Sequence, residues 1–88
     1  MNRVQVILTL DMENIPTNFS EILKKEQEIV AQWKQEGILE HLYLRQAKNG
    51  AVLIFKDIDE DQVKEFMQHL PFYKLKKSIE YYNLILQF

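Results

Sequence analysis

The sequence predicts an α+β domain in which a four-stranded antiparallel sheet carries two helices on one face. Three observations predict it: strand-like alternation near both ends of the chain, helical spacing of apolar residues in two segments, and an Asn-Gly pair between two more strands. The predicted order is strand, helix, strand, strand, helix, strand. Two such split units with right-handed crossovers place both helices on the same side of one sheet.

The first strand and the first helix follow from alternation and from helix-boundary signals. Asn18 followed by Glu21 fits a capping box, so the helix is expected to begin here and to run to Glu36. Gly37 then supplies a left-handed stop. The strand before this helix has alternating apolar residues, which indicate one buried face: Val4, Val6, Leu8 and Leu10.

The second and third strands are predicted to form a hairpin. They span about Ile38 to Ala47 and Ala51 to Lys56, and Asn49-Gly50 between them is a two-residue turn signal. In that register Tyr43 faces Lys56, and Arg45 faces Ile54.

The second helix and the last strand complete the fold. Asp59 with Gln62 forms a second capping box, Pro71 ends the helix, and the last strand is predicted from Ser78 to Leu86. The whole chain is therefore expected to be one ferredoxin-like domain, residues 1–88, with the order βαββαβ.

Composition excludes several classes of function. The 88 residues are 47% hydrophobic and 27% charged with a net charge of −2, as in an ordinary globular domain, and no basic stripe suggests nucleic-acid binding. The absence of cysteine excludes disulfides, thiolate catalysis and Cys-ligated metals. The chain starts directly with a strand pattern and has no apolar run long enough to cross a bilayer, so a cytoplasmic protein without membrane contact is expected.

The sheet face away from the helices is predicted to be unusually apolar. On the second strand, alternation assigns Leu42 and Leu44 to the core and the other residues to this face, namely Leu39, His41, Tyr43 and Arg45. Apolar residues of the other strands are expected to join them: Ile7, Val52, Ile54, Ile79, Tyr81 and Ile85. Because so apolar a face is rarely left in water, we expect a homodimer through it that encloses a cavity.

The first helix carries a carboxylate where an apolar residue is expected. At about 100° per residue, Glu26 falls within about 10° of the centre of the apolar stripe, whereas Glu28 lies on the opposite side. Burial would raise the pKa of Glu26 and suit it to proton transfer near neutral pH. The alternative is a structural carboxyl in a gap at the sheet edge, hydrogen-bonded to a neighbour.

The second strand supplies the other candidate site residues. His41 is suited to acid–base catalysis, or is a hydrogen-bonded interface residue, and Tyr43 could orient a ligand or only pack. Arg45 could bind a carboxylate, with Lys56 beside Tyr43 as a second cation. Trp33 is a further ligand-binding candidate, although core packing is the commoner role of such a residue. His41 and His69 lie too far apart, without a third ligand, to predict a metal site.

Several motifs together resemble the muconolactone isomerase family over about residues 3 to 84. They are Lys25-Glu26-Gln27-Glu28 in the first helix, Gln35-Glu36-Gly37 at its end, Glu40-His41-Leu42-Tyr43 in the next strand and Leu70-Pro71 after the second helix. The resemblance implies a dimeric α+β barrel in small homo-oligomers. It also implies a double-bond shift in a lactone from aromatic catabolism, without metal or organic cofactor.

The chain departs from the family pattern at positions that would hold an anion. Glu40 and Leu44 stand where the family has arginines, and Phe72 to Leu75 differ from the family sequence. The resemblance therefore predicts the fold but not the substrate.

Three functions remain open at this stage. The first is a cofactor-free isomerase-like enzyme that moves a proton on a small carbonyl or lactone-type substrate in the cavity of the dimeric barrel. Glu26 or His41 would be the base, Tyr43 a hydrogen-bond donor and Arg45 the carboxylate anchor. The second is a non-catalytic small-molecule-binding or regulatory homodimer, and the third is a structural module whose interface is filled.

Overall fold

The computed structural model describes residues 2–88 and contains all the predicted elements in the predicted order. Four antiparallel strands form one sheet in the order β2-β3-β1-β4, so β2 and β4 are its edges. The ferredoxin-like fold is thus confirmed. The elements are β1 (Asn2–Leu10), α1 (Phe19–Glu36), β2 (Leu39–Leu44), β3 (Gly50–Lys56), α2 (Glu60–Gln68) and β4 (Lys76–Ile85), with short 3-10 helices at Met12–Asn14 and Pro71–Leu75.

The hydrophobic core lies between the two helices and one face of the sheet. Phe55 of β3 and Met67 of α2 are fully buried, and Trp33 of α1 packs its ring against Phe55 and Phe66. The alternation predicted for β1 is confirmed, because its even-numbered apolar residues are all buried: Val4, Val6, Leu8 and Leu10. No helix within residues 2–88 is long and apolar enough to cross a membrane.

The boundary signals of the helices are confirmed in three of four cases, and one of these is Pro71, which follows the end of α2 at Gln68. Gly37 ends α1 in the left-handed conformation, with φ of 83°. Asp59 and Gln62 form the predicted capping box at the start of α2. Asn18 caps α1 by position only, because its side chain makes no capping hydrogen bond, so the predicted box with Glu21 is not formed.

The hairpin register differs from the prediction. β2 ends at Leu44, a five-residue loop follows, and Tyr43 pairs with Val52 instead of Lys56. Gly50 lies inside β3, where an added Cβ would collide with the carbonyl oxygen of Leu8, so the glycine serves close strand approach and not a two-residue turn. The shift is an even number of residues, so His41 and Tyr43 keep the predicted face.

A β-bulge in β2 changes the face of one residue. Leu39 pairs with Phe55 and His41 pairs with Ile54, so Glu40 is the extra residue between them. Leu39 consequently points into the core and is 2% exposed. The prediction that Leu39 shares a face with His41 was wrong, because simple alternation does not hold across a bulge.

The faces of β4 are also reversed relative to the prediction. Ile79 pairs with Leu8 and Tyr81 with Val6, so both lie on the helix side of the sheet, and the same register places Ile85 there. Tyr82 and Leu84 occupy the other face instead. We call this face, away from the helices, the open face, and the side chain of Arg45 reaches it from the loop after β2. Its strand residues are Arg3, Gln5, Ile7, Thr9, His41, Tyr43, Gly50, Val52, Ile54, Lys56, Ser78, Glu80, Tyr82 and Leu84.

Candidate functional site

Glu26 of α1 is a buried carboxyl that accepts one hydrogen bond from the part of the chain that the structure describes. The residue is 7% exposed, and its Oε1 atom accepts a hydrogen bond of 3.1 Å from the backbone N–H of Phe72. Burial raises the pKa of Glu26 to about 7, against the smaller opposing effect of that hydrogen bond. The burial and the raised pKa predicted from helical periodicity are both confirmed.

The donor of this hydrogen bond comes from the segment that follows α2. Pro71 begins the 3-10 helix there, so the N–H of Phe72 lies in its first turn and has no acceptor within the helix. The ring of Phe72 stacks on that of Phe19, with centroids 5.4 Å apart and planes 11° apart. This stacking fixes the segment against α1 and holds the N–H toward Glu26.

An apolar cleft lies beside Glu26, between α1 and the sheet. A cavity of about 330 Å³ reaches Glu26, and an adjoining cavity of about 320 Å³ reaches Lys48. Together they form what we call the Glu26 cleft. The two cavities share five lining residues: Leu8, Leu23, Leu44, Ala51 and Phe72. Among residues 2–88, Glu26 and Lys48 are the only ionisable side chains in the lining, so a ligand would meet mostly apolar walls with one carboxyl.

The second carboxylate oxygen of Glu26 is available to a ligand. Within residues 2–88, Oε2 makes no hydrogen bond. It is nevertheless not fully enclosed, because Asn49 Oδ1 is the single side-chain atom of these residues that is both enclosed and without a hydrogen-bond partner. Oε2 therefore retains access to open space while Oε1 is held. A carboxyl with one fixed and one free oxygen can exchange a proton with a bound molecule without changing its position.

Leu42 and Leu44 form the mouth of the cleft. Both were predicted in the core, and both are indeed on the helix side of the sheet, but they are 41% and 79% exposed. The prediction of core burial was wrong because β2 is an edge strand whose end the helices do not cover. These leucines instead leave the cleft accessible from the sheet edge.

His41 and Tyr43 lie on the open face and do not join Glu26. Both are exposed, and their ring centroids are 6.1 Å apart. His41 also borders a groove of about 500 Å³ along the edge of β2, together with Lys34. This groove shares three lining residues with the Glu26 cleft: Gln27, Val30 and Leu42. The histidine is thus beside the cleft but outside it.

Sequence reasoning missed an ion pair next to His41. The Arg3 guanidinium forms two hydrogen bonds to Glu40, from Nε at 2.7 Å and from Nη2 at 3.0 Å, and holds the pKa of the Glu40 carboxyl below its usual range. His41 Nε2 lies 4.0 Å from the same carboxylate. The pairing joins residues 37 positions apart, and the bulge at Glu40 that makes it possible has no signal in residue type.

The remaining predicted site residues are dispersed. Arg45 donates a hydrogen bond of 3.0 Å to Thr9 Oγ1 on the open face. Lys56 pairs with Arg3, and at about 3.3 Å per residue it lies roughly 13 Å along β3 from Val52, the partner of Tyr43. Trp33 is 6% exposed within the core and lines neither cavity of the cleft, so the structure gives it a packing role. Within residues 2–88, no group of three or more His, Asp or Glu side chains could hold a metal ion.

The fold can be compared with solved structures. The sequence itself matches no protein-family model and no curated protein. The structure superposes on that of muconolactone isomerase with a TM-score of 0.75 and 17% identity, over 98% of this chain and 88% of the other. The fold is that of muconolactone isomerase. This result confirms the α+β fold of the single chain that the sequence resemblance implies, while the dimeric barrel stays a prediction.

Two other solved structures share the fold. One is 5-chloro-2-hydroxyhydroquinone dehydrochlorinase from Burkholderia phenoliruptrix AC1100 in complex with 2,5-dihydroxybenzoquinone, with a TM-score of 0.62, 13% identity, and coverage of 91% of this chain and 90% of that one. The other is an antibiotic biosynthesis monooxygenase, with a TM-score of 0.62, 16% identity and 99% coverage of both chains. The three names cover different reactions, so the shared fold alone does not select one.

Proposed function

We propose that the protein is a cofactor-free enzyme that transfers a proton on a small carbonyl or lactone-type substrate bound in the Glu26 cleft. The observation that carries the proposal is the Glu26 carboxyl, buried beside an apolar cleft with one oxygen fixed by Phe72 and the other free. A carboxyl whose pKa is raised to about 7 is matched to proton transfer at neutral pH.

The reaction that fits this site is a double-bond shift. The ionised Glu26 removes a proton from a saturated carbon next to the carbonyl or next to its conjugated double bond, and the electron pair of the C–H bond is delocalised onto the carbonyl oxygen to form an enolate. Protonated Glu26 then returns the proton at another carbon of the same conjugated system. No electrons are gained or lost overall, and one carboxyl performs both steps. The apolar walls exclude water that would otherwise protonate the enolate without control.

The names of the structurally similar proteins are in keeping with this proposal. An isomerase, a dehydrochlorinase bound to a quinone and a monooxygenase all have names that refer to small molecules. Because identity is 17% or lower, they support a small-molecule ligand for this chain without selecting its chemistry. We therefore propose the reaction from the position of Glu26, with the lactone class taken from the first of these names.

The proposal gives Glu26 alone the role of base. His41 and Tyr43, the other predicted catalytic residues, lie on the open face, as do the predicted anchors Arg45 and Lys56. We propose that these residues face a second copy of the chain in a homodimer formed through the open face. Tyr43 at 58% and Tyr82 at 48% exposure are large aromatic side chains that such an interface would cover.

The test uses muconolactone and β-angelica lactone, a butenolide with a methyl group in place of the carboxymethyl arm. Each is incubated with the protein in D2O, and deuterium incorporation at ring carbons is followed by proton NMR. Glu26→Gln keeps the shape of the side chain but cannot accept the proton. Glu28→Gln is the matched control, because Glu28 is an exposed carboxylate on the same helix.

We expect the wild type and Glu28→Gln to exchange at least one of the two lactones faster than buffer alone, and Glu26→Gln to have lost this activity. Equal deuterium-exchange rates for Glu26→Gln and the wild type would show that Glu26 is not the base. Binding of both lactones without any exchange would favour the alternative function, a non-catalytic small-molecule-binding or regulatory homodimer.

A further inference from the structure

The Glu26 cleft has a charged residue at each end. Glu26 lies at one end with Leu53, and Lys48 lies at the other end with Leu10 and Phe19. Apart from Gln27, which follows Glu26 on α1, the side chains between these ends are apolar. We propose that Lys48 is the residue by which the cleft selects an anionic ligand, a role that rests on the proposed ligand-binding function of the cleft.

The backbone of Lys48 is held firmly at its end of the cleft. Its φ is 60°, in the left-handed region, and its N–H donates a hydrogen bond of 2.8 Å to the carbonyl of Arg45. On either side of it, Arg45 N–H bonds to Gly50 at 3.0 Å, and Leu10 N–H bonds to Asn49 at 2.8 Å. The five-residue loop is therefore tied to both β1 and β3, and Lys48 starts from a fixed point beside the cavity.

The charge of Lys48 is not neutralised by the protein itself. Within residues 2–88 the ion pairs join Arg3 and His41 to Glu40, and Lys64 to Glu60, and none of them includes Lys48. Glu26 is the one carboxyl in the lining, and it sits at the far end of the cleft. A ligand with a carboxylate or phenolate at the loop end would find an uncompensated ammonium there.

The length of the cleft sets the size of such a ligand. Along α1, Glu26 lies seven positions after Phe19, which is a rise of roughly 10 Å at about 1.5 Å per residue. Along β3, Leu53 lies three positions after Gly50, which is a distance of about 10 Å at about 3.3 Å per residue. The two estimates agree, so the ligand is one or two rings long, with its anionic group near Lys48 and its reacting carbon near Glu26.

The test compares two probes that differ only in charge, 2-naphthoate and 2-naphthamide. Each is titrated into 15N-labelled protein at pH 6, where Glu26, with a pKa of about 7, is mostly neutral and does not repel the carboxylate. The backbone amides of Leu44 and Ala51, which line both cavities, report occupation of the cleft. The variants are Lys48→Gln, which removes the charge, Lys48→Arg, which keeps it, and Lys77→Gln as an exposed lysine outside the cleft.

We expect naphthoate to bind the wild type about three- to fivefold more tightly than naphthamide, the range of a solvent-accessible ion pair. This preference should vanish in Lys48→Gln and persist in Lys48→Arg and Lys77→Gln, while naphthamide affinity stays constant. Equal affinities in the wild type, or a preference that survives in Lys48→Gln, would overturn the role of Lys48 but leave the cleft in place. If neither probe shifts the cleft amides, the ligand-binding cleft itself fails, and the role of Lys48 fails with it.

Discussion

The backbone N–H of Phe72 donates a 3.1 Å hydrogen bond to Oε1 of Glu26, across 46 positions of sequence. This contact joins the middle of α1 to the segment after α2, and both residues line an apolar cleft. It holds one oxygen of the carboxyl in place and leaves the other accessible. This geometry supports the proposed role of Glu26 in proton transfer.

The rate of proton transfer should rise with pH. The base form of Glu26 is the ionised one, and burial raises the pKa of this carboxyl to about 7. We therefore expect kcat/KM for lactone isomerisation to be low at pH 5 and to increase tenfold per pH unit up to a midpoint near 7. The measurement is a series of initial exchange rates between pH 5 and 9, and a flat profile over this range would exclude Glu26 as the base.

Stability should change with pH over the same interval, in the opposite direction. The pKa of Glu26 is about 7 in the folded state and near the ordinary glutamate value of 4.5 in the unfolded state, so folding favours the protonated form. This contribution is fully present below about pH 4.5 and is lost as the pH rises through 7. Glu26→Gln does not titrate, so its stability relative to the wild type should increase by on the order of 2 kcal/mol between pH 4.5 and 8.

Urea denaturation at four or five pH values measures this difference. Glu28→Gln is the control and should follow the wild type throughout. If the free energy of unfolding differs between Glu26→Gln and the wild type by the same amount at every pH, the Glu26 carboxyl is solvated in the folded protein.

The two glycines should respond differently to alanine. Gly37→Ala places a side chain at φ of 83° with no atom within 4 Å of the new Cβ, so only the left-handed conformation is unfavourable, by about 1 kcal/mol. Gly50→Ala brings the new Cβ against the backbone carbonyl of Leu8, and the strands must separate. We expect Gly50→Ala to destabilise by more than about 2 kcal/mol in denaturant titrations. Equal losses would mean that β1 and β3 are not this close.

The open face should form the dimer interface. Light scattering at micromolar concentration is expected to give twice the mass of one chain. Ile54→Arg, in the middle of the open face, should shift the protein toward a folded monomer, because a buried unpaired charge is unfavourable. Gln68→Arg, exposed on the helix side, should leave the mass unchanged. A folded wild-type monomer would contradict the proposed dimer.

Local patterns in the sequence predicted the order of elements and the position of Glu26. Alternation in β1, the capping box of Asp59 and Gln62, and the helical spacing around Glu26 all depend on residues a few positions apart. Their outcomes could be read without knowledge of the tertiary structure. The same is true of Gly37, whose left-handed conformation follows directly from its place after an amphipathic helix.

Features that depend on distant parts of the chain were not predictable in this way. Gly50 was interpreted as a turn residue because its real neighbour, Leu8, lies 42 positions away. The bulge at Glu40 places Leu39 in the core. The Glu40 carboxylate pairs with Arg3, a contact that no local sequence pattern predicts. β4 has apolar residues on both faces, so its sequence does not show which face is buried. Ile79 and Tyr81 were therefore assigned to the wrong face.

The candidate site was predicted as one group of residues and is found as two. Helical periodicity identified Glu26, and strand alternation identified His41 and Tyr43. Neither pattern predicts how far a residue on a helix lies from a residue on the sheet. The sheet separates the Glu26 cleft from the open face. The N–H of Phe72 and the side chain of Lys48 were missed, since a backbone donor has no residue signature and an exposed lysine is common.

The most direct test is a carbon-13 NMR titration of the Glu26 side-chain carboxyl, with its resonance assigned by comparison with Glu26→Gln. The structure predicts a single transition with a midpoint near pH 7, because the carboxyl is buried beside the apolar cleft and Phe72 N–H is its one donor among residues 2–88. A midpoint near 4.5, the ordinary value for a glutamate, would show that the carboxyl is solvated and would contradict its proposed role in proton transfer.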